Sequence, residues 1–157
     1  MDETTAARVV RLLKGQAHRH RTGVLLLPLP WLSREREIAA RLGITYADER
    51  ELVLQRLAPG QRYLGIGWEE LITSYLDSHV RGVAPVGGCV LVANLDLLVC
   101  SLPSTDRDRF WSFVRASYRP SWGLLMALPE DTRRLMTDEE RSLWAIAERL
   151  AVWEGGA

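Results

Sequence analysis

The stretch TGVLLLPLPWLSREREIAARLG, residues 22–43, decides how this chain reads. Its first part, GVLLLPLP, is a continuous apolar run, the pattern of a strand covered on both faces, as in a parallel sheet. Ser33 then stands where a helix cap is expected. Ile38, Ala39 and Leu42 line one helical face, and Gly43 suits the left-handed position after the helix end. A loop between a first strand and a first helix is where nucleotide-binding α/β proteins cradle phosphate. That chemistry needs glycines so that backbone N–H groups converge on the anion, a lysine for the β- and γ-phosphates, and Ser or Thr for Mg²⁺. Here the loop holds Pro28, Leu29, Pro30, Trp31, Leu32, Ser33 and Arg34, and no G-x-x-x-x-G-K-[ST] occurs. Lys14, upstream of the strand, is the single lysine; the rest of the 20 Lys+Arg are arginines. Pro28 and Pro30 remove two N–H donors, and Trp31 and Leu32 fill the space a phosphate would take. A helix N-terminus at Ser33, with Arg34 and Arg36 near it, leaves room for weak anion binding but not for ATP hydrolysis.

Outward from this unit, strand and helix patterns alternate. Residues 4–14 read as a helix with Val9, Val10 and Leu13 on one face. ITYAD (44–48) reads as a second strand, and ERELVLQRL (49–57) as a helix closed by Pro59-Gly60. In GWEELITSYLDSHVRG (67–82), Leu71, Ile72, Tyr75, Leu76 and His79 recur at three- and four-residue spacing, the mark of an amphipathic helix. CVLVANLDLLV (89–99) reads as a second long strand. Thr105-Asp106-Arg107-Asp108 has the form of a capping box opening a helix over 107–119, which Pro120 ends. WGLLMALP (122–129) is a third apolar strand. Thr137 and Glu140 form a box for a last helix to about residue 148, and RLAVWE (149–154) reads as a short closing strand. The alternation predicts one α/β domain over residues 1–157, a mainly parallel sheet flanked by helices.

With 47% apolar and 25% charged residues, the composition is that of a soluble globular protein. No apolar run reaches the ~20 residues of a membrane span. The opening MDETTAARVV lacks the basic-then-apolar order of a signal peptide, so a cytoplasmic protein without membrane partners is expected. Cys89 and Cys100, at the two ends of the strand-like run, read as buried free thiols. His18 and His20 have no third ligand at metal spacing, so no metal site is expected; residues 14–21 read as a solvated basic linker. His79, on an apolar helix face, reads as a core histidine. The chain is neutral as a whole, yet residues 1–36 carry seven basic against three acidic side chains and residues 130–157 seven acidic against four basic. Ends of opposite sign suit head-to-tail assembly or a charged partner.

The second signature of P-loop proteins is an apolar strand ending in acids that hold Mg²⁺ and orient water. VLVANLDLLV has the strand but offers Ala93 and Asn94 at the metal-holding position, with Asp96 beyond them as a solitary carboxylate. The order of elements and several strings resemble the BrxF family, the small P-loop-containing proteins of BREX phage-defence systems. The strings are ARLGITYAD (40–48), LVLQRLAPGQRYLGIGWEELI (52–72), LVANLDLLV (91–99) and LLMALP (124–129). The likeness covers roughly residues 22–130. It departs at the catalytic positions: the family's P-loop lysine and serine or threonine have no match near Trp31 and Ser33, and the Walker B aspartate falls on Ala93, with Asn94 and Asp96 at the family's Asn and Glu positions. The resemblance implies a P-loop NTPase-like (AAA+/RecA-like) core in a degenerate, non-catalytic member, with no cofactor, that works through other defence-system proteins or self-association. The alternative is a nucleotide-binding regulator or ATPase subunit that holds ATP and Mg²⁺ in an unconventional site. A third possibility is a DNA-binding module. For it, Arg107, Trp111, Arg115 and Arg119 recur every four residues and share a helix face that could grip phosphates and stack on bases. The bland alternative is a solvated face with Trp111 packed under Arg115, while Phe110, Phe113 and Val114 form the core face. No Ser/His/Asp or Cys/His arrangement points to another enzyme class.

Overall fold

A computed structural model describes residues 4–15, 20–56, 59, 67–77 and 88–155. Every residue of β1 (Thr22–Leu27) and of β3 (Cys89–Ala93) is buried, and all of β4 (Gly123–Pro129) but its last residue. Strands apolar on both sides need cover on both sides, and a parallel sheet between two helix layers supplies it. With β2 (Thr45–Asp48) and β5 (Leu150–Val152), these strands form one sheet in the order β2-β3-β4-β1-β5, every pairing parallel. The expected α/β domain is therefore present, and the strand order is compatible with a P-loop-like core.

Alternate residues of β1 divide the core. Leu25 and Leu27 face α1 (Thr5–Lys14) and α2 (Glu35–Leu42). Val24 and Leu26 face the other layer. That layer comprises α3 (Glu49–Arg56), α4 (Trp68–Glu70) with the π-helical turn Leu71–Leu76 that continues it, α5 (Asp96–Val99), α6 (Ser104–Ala116) and α7 (Asp138–Ile146). The crossover β1–α2–β2 runs one way over one face, and the three later crossovers run the other way over the opposite face. Reversing both direction and face preserves the single hand that parallel crossovers require. Chain leaving β1 and chain leaving the adjacent β4 thus diverge to opposite layers, which opens a crevice at their carboxyl ends.

Local signals account for several boundaries. The Thr4 hydroxyl accepts from Ala7 N–H at 3.1 Å and starts α1, and Gly43 closes α2 at φ 69°. The Thr137 hydroxyl accepts from Glu140 N–H at 3.1 Å and starts α7, as the capping box predicts. Three expectations change. The run 89–99 is not one strand: β3 stops at Ala93, Asn94 turns out at φ 62°, and the remainder forms α5. Leu95, Leu98 and Val99 are buried at helical spacing, and a short apolar run cannot distinguish the two periods. Consequently Cys89 is buried but Cys100 is exposed. Finally, α6 starts at Ser104 with Pro103 (φ −57°, ψ 153°) at the cap position and no side-chain capping bond, so Thr105 lies inside the helix and is not its cap. His18, His79, Gly60 and residues 78–82 of the helix predicted over 67–82 lie outside the described residues. Among the described residues, no helix is long and apolar enough to cross a membrane.

Candidate functional site at the carboxyl ends of β1, β3 and β4

The loop after β1 folds into the 3₁₀ turn Leu29–Trp31. The Trp31 N–H donates to the Pro28 carbonyl (2.9 Å), Leu32 to Leu29 (3.2 Å) and Arg34 to Trp31 (3.1 Å). The Ser33 N–H donates to Oε1 of Glu35 at 3.3 Å. Each of these four donors is engaged within the loop or by the first residue of α2, so they do not converge on a common point as an anion cradle requires. Ser33 is not the helix cap expected from sequence. It sits at φ 74°, Arg34 takes the cap position without a side-chain capping bond, and the acidic residues of the first turn are Glu37 and the buried Glu35.

Trp31 anchors the loop. Its ring meets Trp153 edge-on at 5.6 Å, with an interplanar angle of 74°. The Arg34 guanidinium lies 4.0 Å above it, and Arg41 stands at 5.2 Å. Both arginines pair with Glu37 at 2.7 Å, and the Arg34 hydrogen bond foremost holds that carboxyl below its ordinary value. Gly155, at φ 75°, passes so close that a Cβ there would lie 2.6 Å from the Trp31 ring nitrogen. The position is held shut by the end of the sheet's last strand. Arg36 lies 4.6 Å over the Tyr46 ring of β2.

At the second position, Asn94 donates to Oδ1 of Asp48 at 2.7 Å, and the same oxygen accepts from Arg50 N–H at 2.8 Å. This pair ties the end of β3 to the start of α3. Asp96 opens α5 and lines a shallow pocket of about 460 Å³ with Cys100, Pro129, Asp131, Arg134 and Leu135. Burial raises its pKa, with the charge of Glu35 adding to the effect. Burial and the neighbouring Asp96 likewise raise the Cys100 thiol, the reverse of what a nucleophile requires. A carboxyl easier to protonate in the folded chain than in the unfolded one makes folding less favourable as pH rises from the unfolded value toward the folded one. Asp96→Asn is therefore expected to raise the melting temperature at pH 7 and to lose that advantage below about pH 3.8, where both states are protonated. Melting curves from pH 3 to 8 test this, and an Asn variant less stable than the parent at pH 7 would mean the carboxylate is held in place by a favourable contact.

Beside this pocket, a groove of about 510 Å³ runs between the two strand ends, with Leu27, Leu29 and Leu32 on the β1 side and Glu130, Asp131 and Arg141 on the β4 side. Arg141 donates to the Glu130 carbonyl at 3.0 Å, and Arg133 pairs with Asp131 at 2.7 Å. That pairing, led by the Arg133 hydrogen bonds, pulls the Asp131 carboxyl down to about 2.

The four-residue stripe on α6 is a seam and not a free face. Trp111 has no exposed surface, and its indole N–H donates to the Leu135 carbonyl at 2.7 Å. Arg107 donates to the Arg134 carbonyl, and Arg115 pairs with Glu140 of α7 at 2.9 Å. Arg119 is exposed beyond the end of α6. Trp111 thus cannot stack on a base, nor is it under a solvated face: α7 and the segment before it cover that side of α6. Phe110 and Val114 are in the core as expected, whereas Phe113 is 36% exposed and sits 5.7 Å from Trp68.

No family model, curated protein or solved structure gives a significant match to this chain. The likeness to BrxF accordingly rests on the strings that carry it. Sequence reading located the loop and Asp96 but missed Glu35, Arg41, Trp153 and Gly155. The Trp in RLAVWE and the glycine after it were visible, yet no spacing signal joins residue 31 to residue 153.

Proposed function

We propose that this chain is a non-catalytic, P-loop-like subunit that acts through protein–protein contacts, in a phage-defence assembly of the BREX kind. One observation carries this reading: the backbone donors of Trp31, Leu32, Ser33 and Arg34 are all engaged locally, while Trp31 is clamped by Trp153, Arg34 and Arg41. An anion entering there would have to break those bonds and displace the ring. A regulator that binds ATP and Mg²⁺ would need that rearrangement, and a DNA-binding module would have to work without the buried Trp111 ring.

A thermal-shift titration with ATP, ADP and Mg²⁺ tests the proposal. A ligand at a hundredfold its Kd stabilises a native protein by about 2.7 kcal/mol. In a chain of this length that is a rise of roughly 5–10 °C. The expected result is no nucleotide-dependent rise. A rise of several degrees would overturn the reading and direct attention to Ser33, Arg34 and Asp96.

A further inference from the structure

The pocket at the carboxyl ends of β3 and β4 has two walls, each fixed by bonds of its own. On one side Asn94 turns the chain out of β3 at φ 62° and is tied to Asp48. That turn leads into α5, where Asp96 and Cys100 stand one helical turn apart and the Cys100 N–H donates to the Asp96 carbonyl at 2.9 Å. On the other side, the Leu135 and Met136 N–H groups both donate to the Thr132 carbonyl, at 2.9 and 3.0 Å. The Arg134 and Leu135 carbonyls are held by Arg107 and Trp111 of α6. The volume, about 460 Å³, lies within the ~300–1,000 Å³ of small-molecule sites.

Four charged side chains line the pocket, and two of them cancel, since Asp131 is paired with Arg133 at 2.7 Å. The other two are Asp96 and Arg134. Asp96 is half-buried, and among the described residues its carboxylate has no ion pair and no hydrogen bond outside its own residue. The guanidinium of Arg134 is exposed and likewise unpaired among the described residues. Burial raises the Cys100 thiol most; beyond that Asp96 raises it further while Arg107 and Arg134 lower it, so both unpaired charges stand near that sulfur. A half-buried carboxylate without a cation costs stability, and such costs concentrate where a ligand removes them. Among the described residues, no group of three acidic, histidine or cysteine side chains is placed to share a metal ion with it, which favours an organic cation.

We propose that this pocket binds a free α-amino acid with an apolar side chain, its ammonium on Asp96, its carboxylate on Arg134 and its side chain against Cys100, Pro129 and Leu135. A plain amine would satisfy Asp96 but add positive charge beside Arg134. A plain anion would satisfy Arg134 but add negative charge beside Asp96. A zwitterion meets both, and an α-amino acid keeps its two charges at one end while leaving the other end free for the apolar wall. The walls are set before the ligand arrives, so little ordering opposes binding.

Titration calorimetry and thermal shift at neutral pH test this with L-leucine, L-methionine and L-phenylalanine. For whichever binds most tightly, the matching amine without the carboxylate and the matching acid without the ammonium are titrated as well. At least one of the three is expected to bind saturably and to raise the melting temperature. Each single-charge analogue should bind at least ~10-fold more weakly than its parent amino acid. Asp96→Asn, expected above to be the more stable protein at neutral pH, and Arg134→Gln, at an exposed position, should each weaken the amino acid at least ~10-fold, with melting curves showing both folded. Asp96→Asn should leave the affinity for the matching acid unchanged, since that probe has no ammonium to lose. Failure of all three amino acids to bind, a variant that keeps the parent's affinity, or an analogue that binds as tightly as the amino acid would each overturn the site. The inference goes beyond the assembly reading above, and neither answer to the nucleotide titration bears on it, because these probes carry no phosphate.

Discussion

Trp111→Ala is expected to lower the stability of the folded chain by about 3–5 kcal/mol, the range for truncating a fully buried large aromatic side chain. The ring has no exposed surface, lies edge-on to Trp144 at 6.3 Å and meets Phe110 at 4.9 Å. Its removal leaves a cavity between α6 and α7 and orphans the Leu135 carbonyl, which accepts the indole N–H at 2.7 Å. Trp111→Phe keeps most of the volume and loses that bond, so its cost should be smaller, about 1–3 kcal/mol. Denaturant unfolding measures both as a shift of the midpoint at constant slope. Arg119→Glu, at an exposed position past the helix, is expected to leave the midpoint almost unchanged. A fully stable Trp111→Ala variant would contradict the seam and restore the stripe as a candidate binding face.

Arg149→Ala is expected to cost about 2–4 kcal/mol, since hydrogen bonds to charged groups contribute about 1.5–3 kcal/mol each and part of that gain offsets the burial of the charge. The side chain is 3% exposed. It donates from Nε to the Thr22 carbonyl at 2.8 Å and from Nη2 to the Thr22 hydroxyl at 2.5 Å. That hydroxyl donates in turn to the Val114 carbonyl at 2.8 Å, and the guanidinium lies 4.6 Å from the Trp144 ring centre. One cation thereby fastens the start of β5 to the start of β1 and to α6 and α7. Burial, with the charge of Arg115 second, lowers its pKa to about 10, so it remains protonated at neutral pH. Thr22→Val removes the shared hydroxyl and should cost about 1–2 kcal/mol. In the double variant the losses should fall short of additive, because each single change already breaks the same bond. Strict additivity in denaturant unfolding would mean the two side chains act independently.

These two residues illustrate which signals were legible. The strands were, since runs such as GVLLL and GLLMAL are apolar at every position and occur where both faces of a sheet are covered. Gly43 and the Thr137–Glu140 box were legible because their signals act within a few residues. Asn94 misled the reading, since an apolar run that turns from strand to helix keeps its composition while changing its period. Arg149 read as one more charged residue at the head of a closing strand. Its partner Thr22 lies 127 positions away, and nothing in the local pattern of either residue marks the pairing.

By itself, then, the sequence determined the α/β class, the order of the strands along the chain, and the absence of any G-x-x-x-x-G-K-[ST] stretch. All follow from side-chain type and short-range spacing. Only the tertiary structure decided how the loop after β1 is filled and what becomes of the arginine stripe. Trp31 closes against Trp153 because β5 pairs with β1 and carries the later tryptophan to the loop. Trp111 is buried because α7 packs across the face of α6 that helical spacing alone would have left to solvent. Each outcome depends on contacts between residues far apart in the chain, made when hydrophobic burial brings the layers together, and no local pattern encodes them.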